Sequence, residues 1–430
     1  MITFYSFLYS LALALAVVVS LPYWLFQMLR HGKYHRGLAE RLGAVPKRLH
    51  LPAANETVIW IHAVSVGEVL AILGLAKELQ RHWPTHPLFV STVTDTGQEL
   101  ARKHFGANRV FYFPMDFAVA IRPYLRALRP KIVIIAETEF WPNFMRLAHA
   151  NGAKIAVVNA RISDGSWPQY RRFRGLIGKV LAHVELFLAQ TPEDAERLRA
   201  IGACAQRVHV SGNMKFDMAA AISPPLLDRL RISIGETGAG PIIVCGSTVD
   251  GEEPILLNAF VKVRESYPSA VMILGPRHPE RFAPVAALLK DSSLRFYRRS
   301  EWQEENLSGA VLLLDSIGEL AAIYSLADIA FVGGSLVPRG GHNIIEPALL
   351  GRAIVVGEYT ENFRDIVALF QKHDAVKIAH VADLATICLE LLADPEQRNG
   401  LGRRAAETVR SQAGATMRTA NAIEELLARQ

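Results

Sequence analysis

From Val58 onward, short apolar runs rich in β-branched residues alternate with stretches whose apolar positions recur every three or four residues. The runs VIWIHA, LFVSTV, RVFYFP, KIVIIAE, KIAVVNA, LFLAQ and VHVSG follow one another as far as Gly212. Between them, segments such as EVLAILGLAKELQRHW and PEDAERLRAIG carry helical spacing and charged faces. Runs that are apolar throughout predict strands buried on both faces, and so a parallel sheet covered by helices. Breakers then gather at Pro224, Pro225, Gly235, Gly238 and Gly240 with no clear strand, which reads as an interdomain linker. A second series follows: PIIVCGS, AVMILGP, AVLLLD, DIAFVGGS, AIVVGE and AVKIA, with a helical tail from about Asp383 to Arg429. The pattern predicts an α/β chain of two doubly wound domains facing a cleft.

Ahead of this lies a different pattern. Met1 to Leu29 contain no Lys, Arg, Asp or Glu, which is long enough for a helix across a bilayer. Positive charge comes after the run, at Arg30, Lys33, Arg36, Arg41, Lys47 and Arg48, against the acid Glu40. By the positive-inside rule that flank, and all that follows it, stays cytoplasmic. Aromatics stand at both ends (Phe4, Tyr5, Phe7, Tyr9; Tyr23, Trp24, Phe26), as in an interfacial belt. Pro22 leaves open a helix that bends and lies in the interface. The expected division is therefore an anchor over 1–29 and an N-terminal domain over 30–212. A linker over 213–240 and a C-terminal domain over 241–430, helical tail included, complete it.

Composition narrows the classes. With 430 residues, 50% hydrophobic and 20% charged, the chain is too apolar to be disordered and too long for one core. Its 3 cysteines, Cys204, Cys245 and Cys388, form no CxxC, which excludes a disulfide scaffold and a zinc finger and favours a reducing compartment. The net charge of +6 suggests an anionic partner.

Ligands of open α/β sheets bind at the carboxyl ends of strands. After VIWIHA, the segment VSVGEV puts Glu68 at the start of a helix, where the dipole lowers a carboxyl pKa and suits an ordinary first-turn acid as well as a catalytic one. After KIVIIA, ETEFWPN presents Glu137 and Glu139 two residues apart, on one side of an extended chain, either paired as caps or used in chemistry. GNMKFD places Lys215 beside the expected linker, where a cation suits an anionic donor.

In the second half, AVMILGPRH sets Arg277 and His278 at a strand end, the guanidinium able to fork onto a phosphate. DSIGEL offers Gly318 and Glu319 at another helix start. FVGGSLVPRGGHNIIEP holds Gly333, Gly334, Gly340 and Gly341, a loop whose N–H groups reach an anion ahead of a helix from about Asn343. Glu346 in its first turn is placed to accept from ribose hydroxyls. None of this matches GxxxxGK[ST] or GxGxxG, and no ligand spacing for a metal ion is present.

Taken in order, HAVSVGEV, ETEFWPN, VNARIS, GNMKFD, PRHPERF, DSIGEL and FVGGSLVPRGGHNIIEP go beyond a generic α/β chain. Together with the N-terminal anchor, the sequence resembles the 3-deoxy-D-manno-octulosonic acid (Kdo) transferases, membrane-anchored GT-B glycosyltransferases of lipopolysaccharide biosynthesis. The resemblance covers nearly the whole chain. It implies CMP-Kdo as donor, a phosphorylated lipid A precursor as acceptor, no further cofactor or metal, and the cytoplasmic face of the inner membrane as location. It implies Glu68 as proton acceptor and Glu137 with Lys215 as stabilisers of the transition state. CMP contacts fall on Pro276 and Arg277, on Ile317, Gly318 and Glu319, and on Asn343, Ile344, Ile345 and Glu346. In the last motif Pro347 stands where members also carry Ala.

Two other readings share the pattern: a membrane-associated GT-B transferase using a UDP-sugar, and a non-catalytic nucleotide-sugar-binding protein. Charge is divided in a way that bears on partners. Residues 30–50 hold six basic and one acidic side chain, net +5; residues 51–212 hold 19 and 13, net +6; residues 213–430 hold 22 and 27, net −5. The basic half is the one that would face anionic headgroups and a phosphorylated lipid, and a nucleic-acid partner loses its support.

Overall fold

All seven apolar runs between Val58 and Gly212 become strands: β1 (Val58–His62), β2 (Leu88–Thr92), β3 (Val110–Tyr112), β4 (Pro130–Ala136), β5 (Lys154–Ala160), β6 (Leu186–Ala189) and β7 (Val208–Val210). The computed structural model describes residues 4–31, 36–50, 53, 56–217 and 225–428. Contacts divide the chain into two units, Met1–Met218 with Ala413–Gln430, and Ala219–Gln412. In the first, the strands form one parallel sheet in the order β3-β2-β1-β4-β5-β6-β7. Successive side chains of a strand face opposite ways. Val58 and Trp60 therefore enter the core on one face of the sheet, and Ile59 and Ile61 the core on the other.

The helices of this unit include α1 (Phe4–His31), α2 (Val66–His82), α3 (Pro142–Ala150), α4 (Trp167–Arg172) and α5 (Arg174–Leu181). α1 runs through Pro22, and its Tyr5–Pro22 stretch is long and apolar enough to cross a membrane. α2 buries Val69, Ile72, Leu75, Ala76 and Leu79, one face at helical spacing. Three cations of the basic flank after α1 are engaged by the unit, Arg36 at its surface and Arg41 and Arg48 more deeply. Arg36 pairs with Glu99 at 2.9 Å, Arg48 with Glu40 at 2.6 Å, and Arg41 stacks on the Tyr112 ring at 4.5 Å. Lys33 lies outside the described residues.

The second unit repeats the plan with β8 (Ile242–Thr248), β9 (Val271–Pro276), β10 (Phe296–Arg298), β11 (Val311–Leu313), β12 (Ile329–Val332), β13 (Ala353–Val356) and β14 (Lys377–Ile378). All pairings are again parallel, in the order β10-β11-β9-β8-β12-β13-β14. β10 is the strand that periodicity does not predict: its three residues, Phe296 to Arg298, sit half-buried on the sheet edge. α6 (Glu252–Ser266) follows β8, and α7 (Ile345–Leu349) follows the glycine-rich loop after β12.

Two expected boundaries change. Residues 225–237, placed in the linker, form a 13-residue helix that buries Leu226, Leu227 and Leu230 in the second unit. Its Pro225 stands in the first turn, where proline is tolerated, and Gly238 follows its end. Pro224 lies outside the described residues. The helical tail is also divided: Ala413–Gln430 belongs to the first unit. Its helix Ala415–Ala428 buries Ala415, Ala420 and Ile423 in the same core as α2, and Leu426 O accepts from Lys154 Nζ at 2.6 Å.

Candidate active site

The strand order turns about the first strand of each sheet, between β1 and β4 in the first and between β8 and β12 in the second. Carboxyl ends at such a switch point are where α/β sheets bind ligands. In the first unit Glu68 follows β1 and Glu137 follows β4 directly, so the switch point brings both carboxylates together.

Glu68 is buried at the start of α2. Its Oε2 accepts from the Val64 N–H at 2.8 Å and its Oε1 from the Ser65 hydroxyl at 2.9 Å, which fixes the side chain. The helix N-terminus does not decide its acidity. Burial pushes the carboxyl up from 4.5 to about 7; Glu137 and, more weakly, Glu139 repel its charge, and the two donors only partly offset this. Half ionised near neutral pH, it has the properties of a general base.

Glu137 takes φ +56°, a left-handed backbone rare for a residue with a Cβ, and its N–H donates to Val158 O at 2.9 Å. That turn sends its Oε1 to Lys215 Nζ at 3.0 Å. Glu139 lies close by, its carboxyl raised by burial and then by Glu137.

Lys215 sits in a 3₁₀ turn, Met214–Asp217, held from three sides. Asn159 at the end of β5, itself at φ +52°, accepts from Met214 N–H at 3.0 Å through Oδ1, and Asn213 Oδ1 accepts from Lys215 N–H at 3.0 Å. Asp217 takes the N–H groups of Gly414 and Thr416 at 2.6 and 2.5 Å, so the turn is tied to the C-terminal helix. Sequence reasoning missed Ser65, Asn159 and Asp217. Ser65 carried a signal as the first residue of the S-x-x-E capping pattern ending on Glu68, while Asn159 and Asp217 lay inside the motifs VNARIS and GNMKFD without a role of their own.

The second unit gathers part of what was expected. Arg277 is exposed just beyond the buried Pro276, its N–H donating to Thr248 O at 2.9 Å. It acts electrostatically on Glu346 and His342, which places the three side chains together. Burial raises the Glu346 carboxyl, against Arg277 and a hydrogen bond with Asn343. Burial, then Arg277 and His278, lower His342 to about 4, so it is neutral at physiological pH. Asn343 Oδ1 accepts from Ile345 N–H at 3.1 Å, while Ile344 and Ile345 are core residues. Ile317 is exposed and Gly318 adopts φ +90° with open space around it. Glu319 is engaged from within: Arg299 forks onto it at 2.8 and 2.7 Å, and Ser316 also donates to it.

Two features of the glycine loop differ from expectation. α7 has five residues, Ile345–Leu349, too short for the N-terminal field read from the sequence. The N–H groups of Gly334, Ser335 and Leu336 do meet an anion, but it is the protein's own: the buried Glu252 accepts all three at 2.7, 2.9 and 2.9 Å, and Val249 N–H at 3.0 Å besides. Among the described residues, no group of three or more His, Cys, Asp or Glu could hold a metal ion.

Residues 36–218 match the family described as 3-Deoxy-D-manno-octulosonic-acid transferase (kdotransferase). The 3-deoxy-D-manno-octulosonic acid transferase of Haemophilus influenzae is 33% identical over 92% of this chain and 93% of its own length. The chain belongs to the Kdo transferase family. The transferase of Bordetella pertussis is likewise 33% identical, over 97% of this chain and 99% of that protein. Among solved structures, a UDP-GlcNAc 2-epimerase from Neisseria meningitidis superposes with a TM-score of 0.55 over 87% of this chain and 100% of that one, at 14% identity. That likeness is one of fold: two Rossmann-like halves of the GT-B kind. The chain is thus a glycosyltransferase by family and a two-unit α/β protein by architecture.

Proposed function

We propose that the protein transfers Kdo from CMP-Kdo to a phosphorylated lipid A precursor, held at the cytoplasmic face of the inner membrane by α1. Glu68 is the base. As the acceptor hydroxyl oxygen attacks the anomeric carbon of Kdo, its proton passes to the Glu68 carboxylate. The bond from that carbon to the phosphate oxygen breaks, and CMP leaves with the electron pair. Positive charge develops on the sugar in such a transition state, and Glu137 is the carboxylate placed to stabilise it. Lys215 holds Glu137 in position through their ion pair and adds positive charge beside the reacting groups. On the second unit, Arg277 is the phosphate contact and Glu346 with Asn343 the ribose contacts, with Pro276, Ile317, Gly318, Ile344 and Ile345 shaping the pocket. Glu319, forked by Arg299, presents its remaining lone pairs or acts through that pair. The family's motifs at these positions support the assignments.

One observation carries the reading: a buried carboxyl near pKa 7 stands beside a carboxylate–lysine pair at a sheet switch point. The test is to incubate the purified full-length protein with CMP-Kdo and lipid A precursor and weigh the product. A mass gain of one or more Kdo residues is expected. Transfer from a UDP-sugar instead, or competition by UDP and not CMP, would refute the donor assignment.

A further inference from the structure

A left-handed backbone is rare outside glycine, and it persists only where the surroundings hold it. Among the described residues, Arg129, Glu137, Asn159, Ser247, Glu304 and Asp374 adopt it. Arg129 ends a helix, and Glu304 and Asp374 lie in a bend and a turn. The other three stand at the carboxyl ends of strands. Glu137 follows β4 and meets Lys215, and Asn159 in β5 holds the turn that carries Lys215. Ser247, at φ +56° near the end of β8, is their counterpart in the second unit. It is the extra residue of a bulge: Gly246 pairs with Gly275 and Thr248 with Pro276, so Ser247 has no partner on β9.

Three neighbours fix where the bulge lies. Thr248 O accepts the Arg277 N–H at 2.9 Å, which joins it to the residue assigned to the phosphate. The Tyr324 hydroxyl packs against Gly246, where a Cβ would fall 2.1 Å from it, and Tyr324 is close enough to Glu346 to feel its charge. Gly333, after β12, passes so near that a Cβ there would lie 2.6 Å from Ser247 O. The bulge thus borders the group formed by Arg277 and Glu346, at the carboxyl end of the switch-point strand. Its hydroxyl is unclaimed. Thr248 gives its own to Glu253 at 3.2 Å and Ser335 to Val332 O at 2.7 Å. Ser247 is half-buried, and its Oγ bonds to no described residue and is not sealed from solvent. Glycine is the residue that φ +56° favours, so a serine there points to a use for the hydroxyl.

We propose that Ser247 is a further contact of the donor: its hydroxyl donates a hydrogen bond to the phosphate of the cytidine monophosphate group, beside the Arg277 guanidinium. This rests on the donor assigned above. CMP carries that phosphate and cytidine lacks it, so the two ligands isolate the contact. The full-length protein in detergent is titrated by calorimetry with each, as the wild type, Ser247→Ala and Ser247→Gly. A hydrogen bond to a charged group is at stake, so both variants should bind CMP about 10–100-fold more weakly and cytidine as the wild type does. Ser247→Gly relieves the backbone while removing the hydroxyl. It should melt close to the wild type and still lose CMP affinity, a split that a purely structural serine would not give. Wild-type affinity for CMP in Ser247→Gly would overturn the contact. Equal losses for CMP and cytidine would overturn it too, and make the bulge part of the framework alone. A wild type that prefers UMP and uridine refutes the base of the donor and not the contact, which the same variants then test on UMP against uridine.

Discussion

Replacing Glu68 by Gln removes the carboxylate proposed as proton acceptor and leaves its shape, so one substitution reads both its chemistry and its energetics. Folding lifts this carboxyl from 4.5 to about 7, close to 2.5 pK units. At 1.36 kcal/mol per unit, the ionised form costs about 3 kcal/mol of stability above neutrality. The sign follows from proton binding. A raised carboxyl holds its proton better when folded, so its contribution is fully present below pH 4.5 and is lost as pH rises through about 7. At pH 8, Glu68→Gln should therefore be more stable than the wild type by up to that free energy, less what the Val64 and Ser65 contacts lose, and should unfold at a higher temperature. At pH 4 the advantage should vanish. Activity should move the other way. The wild-type kcat should fall on the acid side with an apparent pKa about 7, and the variant should be about 10²–10⁴-fold slower with that limb gone. Glu137→Gln should draw the limb downward, since Glu137 is the larger of the two like charges raising Glu68, though burial, the first cause, remains. Transfer rates and thermal melts across pH 4–9 on the three proteins decide the matter. A Glu68→Gln enzyme within tenfold of wild type, with the acid limb in place, would show that Glu68 is only a helix cap.

Lys215→Met should cut kcat by about 10²-fold or more through lost charge stabilisation, and a melt should also show a loss, because the pair with Glu137 is mostly buried and its removal leaves that carboxylate unpaired beside Glu68. Glu252→Gln offers one acceptor oxygen where four N–H groups need two, so two buried donors lose their partner at about 1–3 kcal/mol each. Urea denaturation should show the loss, and calorimetry should show weaker CMP binding as the loop after β12 loosens. Asp217→Ala uncaps the helix Ala415–Ala428 and frees the Lys215 turn, for about 1–2 kcal/mol in a melt. Its kcat should fall while the affinity for CMP stays, a split that a general loss of stability would not give.

Legibility followed burial. Most of the thirteen predicted runs are strands buried on both faces, which leaves helix or loop no better way to hide them, while the edge strands β7 and β14 are partly exposed. β10 escaped notice because Tyr297 and Arg298 on a sheet edge need no apolar pattern. The helix Pro225–Thr237 was hidden by its own punctuation, since Pro225 and Gly238 read as breakers when they mark its two ends. The return of Ala415–Ala428 to the first unit is a long-range contact, on which local periodicity is silent. Charge was legible as a total and not as a location. Arg41 and Arg48, just after α1, are occupied within the fold and Arg36 is paired with Glu99 at its surface, whereas Arg171, Arg172 and Arg174, distant in sequence, stand exposed with no ion pair among the described residues.

The site divides along the same line. That Glu68, Glu137 and Lys215 would meet was foreseeable from strand ends and family motifs; how acidic Glu68 would be was not, because position in a helix reports the dipole and not the depth of burial. Glu252 sharpens the point. Both it and Glu68 are buried carboxylates in the first turn of a helix after a switch-point strand, and burial raises both. Glu252 receives four backbone N–H groups, which saturate its charge and turn a loop read as an anion cradle into part of the framework. Glu68 receives two donors and faces a second carboxylate, so its charge stays under-served. A fold that only needed a cap after β1 could supply the donors it supplies after β8. Leaving Glu68 short of them, at a cost of about 3 kcal/mol when ionised, is the arrangement expected of a proton acceptor.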